Sequence, residues 1–202
     1  MVGAAAYDFM YRRGAPWDTV GVRADLISVI DRNLVTAETH PRVVDLGCGS
    51  GANAVHLAGL GFEVTGVDFS AVALAKAEAR AAEAGVECRF VLGDLTAEAI
   101  PDAAGPFDFL VDFGTLDDLK GEARRRMAST IDRLSAPGSV LLEWCFYASA
   151  ADLPWFSMSG PSRLIGAIAP GELDELFGAR WDIETLASNP EHHNACFLMR
   201  KR

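Results

Sequence analysis

The sequence predicts a doubly wound α/β domain, a mostly parallel sheet with helices on both faces, and three observations carry that reading. Short apolar runs alternate with stretches of helical spacing along all 202 residues. The first run ends in an acid and opens into a loop with glycine at every second position, Val43-Val44-Asp45-Leu46-Gly47-Cys48-Gly49-Ser50-Gly51. The second, Glu63-Val64-Thr65-Gly66-Val67-Asp68, also ends in an acid. No Pro/Gly/Ser-rich linker and no repeat divides the chain, so residues 1–202 read as one domain with a sizeable core.

Each element has a local reason. Arg23 to Leu34 is read as a helix because Leu26, Ile27, Ile30 and Leu34 share one face. Val43 to Leu46 is the first strand, and Ala52 to Leu60 the crossover helix that Gly61 stops. Glu63 to Val67 is the second strand. Ser70 is placed to cap an alanine-rich helix that Gly85 closes. Cys88 to Leu92 and Phe107 to Val111 are the third and fourth strands, and Ser139 to Phe146, after the turn Ala136-Pro137-Gly138, is the fifth. Pro170 opens a short helix through Leu173, Leu176 and Phe177. Trp181 to Leu186 and Ala195 to Arg200 close the chain as a strand pair, bringing the strands to seven.

The first strand, loop, helix and second strand form a βαβ unit of the kind that holds an adenosine-containing cofactor, with Asp68 placed to accept from a ribose diol. The glycines are not spaced as in the G-x-G-x-x-G dinucleotide fingerprint, and Asp45 stands before the first of them. An anion there repels a pyrophosphate but suits a cofactor with a cationic ammonium or sulfonium. At these residues the chain resembles the class I S-adenosylmethionine-dependent methyltransferases, from about Asp8 to Ala136. The resemblance implies a Rossmann-like, seven-stranded sheet with an antiparallel last strand, and S-adenosylmethionine as cofactor. It places Asp45 near the amino group of the cofactor's methionine moiety, with the backbone of Gly47, Cys48 and Gly49 close by. Asp68 would take both ribose hydroxyls and Phe69 would pack near the adenine. Asp94 would accept from the adenine amino group, the Leu95 amide would complete adenine recognition, and Asp112 would end the fourth strand beside the methyl group.

The segment from Tyr7 to Asp18 resembles the Tyr-Arg…Pro-Trp-Asp entry of small-molecule methyltransferases, including the thiopurine, tellurite-resistance and bacterial heterocycle or quinone groups. It implies that residues 1–36 cover the cofactor, with Trp17 against its methionine end, where an indole face attracts a sulfonium. The chain departs from several relatives after the fourth strand, where Asp117-Asp118 stands in place of a His pair. Candidate bases are scarce. His192 and His193 lie in the turn between the last two strands, on the same rim as the cofactor site, and are the candidate general bases together with Asp112. His40 and His56 fall away from that rim. Asp112 and Glu143 end neighbouring strands as the magnesium ligands of catechol-type relatives do, but Trp144-Cys145 follows Glu143 where an Asp-Asn pair is usual, and no metal is expected.

Residues 148–169 are a long connection with weak structural signals, the expected substrate lid. Trp155, Phe156, Met158, Leu164 and Ile165 on it fit a hydrophobic, planar small molecule, and Arg163 is its lone base. A packing surface for the sheet edge or a second subunit is the competing assignment, so a monomer or a homodimer is expected. Composition sets the remaining bounds. A formal charge of −10 argues against a nucleic-acid partner. No apolar run reaches the ~20 residues of a membrane span, and Met1 to Arg13 carries no signal-peptide pattern. Cys48, Cys88, Cys145 and Cys196, widely spaced, are expected as free thiols of a cytoplasmic protein. Arg124-Arg125-Arg126 is expected on a solvated helix face. Two other classes stay open: a non-catalytic binding module for the same cofactor, and an aminopropyl transferase-like relative, which would want an acid-rich channel.

Overall fold

In the computed structural model, which describes residues 3–149, 152 and 166–202, one seven-stranded sheet organises the chain. The strands are β1 (Arg42–Leu46), β2 (Glu63–Asp68), β3 (Cys88–Leu92), β4 (Phe107–Phe113), β5 (Ser135–Phe146), β6 (Trp181–Asn189) and β7 (Asn194–Lys201). Their order is β3-β2-β1-β4-β5-β7-β6. All neighbours run parallel except β7, which is antiparallel to both β5 and β6, as the resemblance implied. The helices are α1 (Ala4–Arg13), α2 (Ala24–Asp31), α3 (Ala52–Gly59), α4 (Ala71–Ala84), α5 (Glu122–Arg133) and α6 (Glu172–Phe177), with a 3-10 turn at Pro16–Thr19.

Alternation along each strand sorts the two faces. Val43, Val64, Phe109, Val111, Val140 and Leu142 point to one side and bury Leu26 and Val29 of α2 with Ala54 and Leu57 of α3. Val44, Leu46, Val67, Leu110 and Leu141 point to the other and bury Met127 and Ile131 of α5 with Leu173 and Phe177 of α6. The direction of winding reverses between β1 and β4, so the crevice beyond their carboxyl ends is where such a sheet receives a ligand.

Local signals set most boundaries. Ser70 Oγ accepts from the Ala73 amide at 3.1 Å and Gly85 closes α4 in the left-handed region. Two expectations shift. α2 stops at Asp31 because Asn33 turns left-handed and the Leu34 amide bonds back to Val29. β5 starts at Ser135, which pairs with Phe107; the register then skips to Val140 against Phe109, so Ala136-Pro137-Gly138 forms an irregularity inside the strand.

One expectation is overturned. Arg125 and Arg126 pair with Glu122 on an exposed surface, but Arg124 is 4% exposed. Its guanidinium donates to the carbonyls of Leu116, Asp117 and Ala167 and to Glu172 Oε1. Arg124 sits on the inward face with Met127, Ala128 and Ile131, a position that spacing assigns to the core and residue type assigns to solvent. Unpaired carbonyls after β4 decide the outcome. Arg124→Met is therefore expected to cost about 3–5 kcal/mol, because it strands three carbonyls and a half-buried carboxylate. A urea midpoint within error of the native protein would refute that role.

Candidate active site

The loop after β1 is stitched to the end of β2. The amides of Gly47 and Cys48 donate to the Val67 carbonyl, and the Gly49 amide donates to Asp68 Oδ2 at 2.9 Å. Gly47 and Gly49 both have positive φ, and both are close-packed. A Cβ on Gly47 would lie 2.1 Å from Thr115 Oγ1, and one on Gly49 would lie 2.6 Å from the Tyr11 hydroxyl. Glycine is required there by contact as well as by conformation.

Asp68 is buried, and its other oxygen accepts from the Ser70 amide at 2.8 Å. Burial outweighs these bonds and pushes its pKa up. Asp45, 3% exposed, is less well served. Its Oδ2 has no partner, and burial, with Asp112 and Asp68 nearby, raises its pKa to about 7. A carboxylate in that state wants a cationic donor.

The other acids fall on a different face. Asp112 pairs in register with Leu46 and Glu143, so both carboxylates project toward α5 and α6 while Asp45 projects toward α2 and α3. Asp112 caps the turn that follows, accepting from the Thr115 and Leu116 amides at 2.9 Å each; burial raises its pKa to about 6. Glu143 is wholly buried with neither oxygen bonded to a donor, and burial, then Asp112, pushes its pKa well up. Asp117 accepts from the Phe146 amide at 2.8 Å and Asp118 from the Tyr7 hydroxyl at 2.9 Å. The acids that replace the relatives' His pair are thus tied to the fold, one to β5 and one to α1.

The first twenty residues lie across this crevice. α1 packs on α4, and Asp8 accepts from Ser70 Oγ at 2.5 Å. Tyr7 and Tyr11, one turn apart, reach opposite ends of the crevice, Tyr7 to Asp118 and Tyr11 to the Gly49 backbone. Trp17 donates to the Tyr11 hydroxyl at 3.1 Å, and Asp18 joins Ser50 to Lys76. Phe69 meets Tyr7 with ring centroids 5.0 Å apart. Tyr7, Asp8 and Tyr11 lie in the entry segment read from the sequence, which gave an individual role to Trp17 alone, and Thr115 was not assigned one; the Tyr7–Tyr11 spacing of four marks a shared helix face.

Trp17, Gly49, Asp68 and Phe69 are therefore brought together, with Gly47, Cys48 and Asp45 behind them. Asp94 is exposed beyond β3, its carboxylate held by the Thr96 amide and hydroxyl at 2.7 Å, while Leu95 is buried in the core. His192 and His193 lie on the correct rim, where the His193 carbonyl accepts from Tyr147. They sit two strands over from Asp112, roughly 10 Å sideways and ~13 Å further along by strand spacing. Of the expected lid, only Ala148, Ser149, Asp152 and 166–169 belong to the described residues; Trp155, Phe156, Met158, Arg163, Leu164 and Ile165 lie outside them. Among the described residues no group of three or more His, Cys, Asp or Glu is arranged for a metal ion, and no helix is long and apolar enough to cross a membrane.

Residues 43–138 match the family model of the methyltransferase domain. The chain is 27% identical over 173 residues to the 2-heptyl-1-hydroxyquinolin-4(1H)-one methyltransferase of Mycobacteroides abscessus, covering 85% of this chain and 70% of that one. Its fold superposes with a TM-score of 0.77 on a structure reported for conversion of a disulfide bond into a thioacetal group during echinomycin biosynthesis, at 23% identity over 98% of this chain and 92% of that one. It superposes with a TM-score of 0.66 on the glycopeptide N-methyltransferase MtfA complexed with S-adenosyl-L-methionine, at 19% identity over 91% of this chain and 96% of that one. Four other curated relatives are matched over only 24% to 49% of their own lengths.

The state of Asp45 has a thermodynamic consequence. Its folded pKa of about 7 exceeds the ordinary 3.8, so the folded chain holds a proton that the unfolded chain releases. That contribution is fully present below the unfolded pKa and is lost as pH rises to about 7. Asp45→Asn, which keeps the neutral shape, is expected to leave stability unchanged near pH 4 and raise it by about 2–4 kcal/mol at pH 8. Denaturant titrations at the two pH values check this; an equal effect at both would contradict it.

Proposed function

We propose that the chain is a class I S-adenosylmethionine-dependent methyltransferase, which transfers the methyl group of that cofactor directly, without a metal, to a small hydrophobic or aromatic molecule; the methyltransferase-domain match over residues 43–138 and the shared fold support this. The observation that carries this reading is the orphaned, buried Asp45 oxygen behind a glycine loop whose positions admit no Cβ. The residues present fit the cofactor. An ammonium would give Asp45 its missing partner and return it to the ionised state. Asp68 retains lone pairs for a diol, since each carboxylate oxygen accepts more than one bond. The partly exposed Trp17 offers an aromatic face toward positive charge.

S-adenosylmethionine supplies a methyl on a sulfonium: an acceptor lone pair bonds to the methyl carbon as the carbon–sulfur bond breaks, leaving a neutral thioether. The protein's share of that displacement is alignment and exclusion of water. Tyr7, Tyr11 and Trp17 close the crevice from above, and the tie from Tyr7 to Asp118 holds the cover beside the end of β4. A thiol acceptor needs little more, being a few per cent thiolate at neutral pH. A phenol, near pKa ~10, would gain from a base, and His192 or His193 is the residue assigned to that role. The named activity of the Mycobacteroides abscessus relative supports an aromatic heterocycle as the acceptor class.

Calorimetric titration with S-adenosylhomocysteine tests the reading. Micromolar binding is expected for the native chain, and Asp68→Ala should weaken it at least tenfold. Affinity should also rise about tenfold between pH 6 and pH 8 as Asp45 ionises, a dependence that Asp45→Asn removes. A folded chain that does not bind would refute the proposal. Screening with labelled methyl donor then identifies acceptors.

A further inference from the structure

Arg23 takes no part in the cofactor site described above. Its amide donates to Asn53 Oδ1 at 3.1 Å, which anchors the start of α2 to the start of α3. Its half-buried guanidinium lies 4.8 Å from the ring centroid of Trp144 and 5.7 Å from that of Phe113. Those two rings are register partners at the carboxyl ends of β5 and β4, one residue beyond the Asp112–Glu143 pair. Phe146 meets Trp144 edge-on at 5.5 Å. Phe113, Trp144 and Phe146 are each only partly buried, so three rings and a cation share one place on the rim.

Among the described residues the Arg23 guanidinium has no hydrogen bond and no ion pair. The contrast with Arg124 is direct, since that buried guanidinium spends its donors on three carbonyls and a carboxylate. Burial lowers the pKa of Arg23, with Asp25 and Asp117 opposing, but an arginine stays charged at any physiological pH. A half-buried cation with its donors unspent, lying over two neighbouring aromatic rings, matches a planar carboxylate whose ring stacks beside it.

The position separates this group from the methyl donor. The glycine loop and Asp68 lie on the β1–β2 side of the switch point, whereas Phe113 and Trp144 lie on the β4–β5 side. The charge balance argues the same way. A chain of net charge −10 with an acidic rim repels anions in general, so an anionic acceptor needs one specific cation. We propose that Arg23, Phe113 and Trp144 form the acceptor-recognition site, selecting planar aromatic molecules that carry a carboxylate. The assignment rests on the methyltransferase reading.

The test is titration of the S-adenosylhomocysteine-saturated protein with quinoline-2-carboxylate, 1-naphthoate and indole-3-carboxylate, each beside its neutral carboxamide. At least one acid should bind tenfold or more tightly than its amide, the scale of one charge-assisted contact. Arg23→Gln should erase that preference, Arg23→Lys should keep part of it, and both should bind S-adenosylhomocysteine within twofold of the native chain. Equal binding of acid and amide, or no binding of any acid, would overturn the proposal. So would an Arg23→Gln variant that loses S-adenosylhomocysteine but keeps 5′-methylthioadenosine, which lacks the carboxylate; the guanidinium would then serve the donor. Failure of the native chain to bind S-adenosylhomocysteine, seen before any acid is added, would refute the cofactor reading instead.

Discussion

Burying carboxylates is the constraint on which this site depends. Asp45, Asp68, Asp112, Asp117 and Glu143 are all buried at the carboxyl-end rim, and Arg124 is the one buried cation among the described residues. Removing an acid from water is costly unless donors replace the lost hydration. Backbone amides serve Asp68, Asp112 and one oxygen of Asp117, and each of those bonds folds a loop into place. Glu143 has no such donor, and burial pushes its pKa well up. Asp45 is left with an unfilled position on the side where the cofactor would bind. The loops that shape the crevice and the electrostatics that suit a cationic ligand thus have one origin.

A second set of acids fastens the N-terminal segment. Asp118 takes the Tyr7 hydroxyl, Asp8 takes Ser70, and Asp18 takes Ser50 and Lys76, so the N-terminal segment is tied at both ends of the crevice by polar contacts. The Tyr7–Asp118 bond is exposed and contributes little net stability, whereas the contacts of Asp8 and Asp18 are partly buried. The segment's apolar contact packs Tyr11 and Ala15 against Ala73, with Tyr7, Met10 and Val72 around them.

Much of the fold was legible in the chain because local chemistry dictated it. Ser70 and Gly85 bracket α4, and the apolar runs of the central strands β1, β4 and β5 mark segments buried on both faces. Where neighbours compete, local reading failed. Arg124 reads as a surface residue until the carbonyls of Leu116, Asp117 and Ala167 converge on it. The strand ends named Asp45, Asp68 and Asp112 as site acids, yet the pleat sends Asp45 to one face and Asp112 to the other. That division appears only once register is known.

The sequence by itself determined the parallel sheet and the glycine loop between two acid-ended strands, and it raised the expectation of an adenosyl ligand, because each is written in contiguous residues whose spacing carries the chemistry. Tertiary structure alone decided that Tyr7 and Tyr11 bridge the crevice, that Arg124 is internal and that Arg23 lies over Phe113 and Trp144. Those pairings join residues up to 121 positions apart, Arg23 to Trp144, and such a contact depends on chain path and strand register rather than on local propensity.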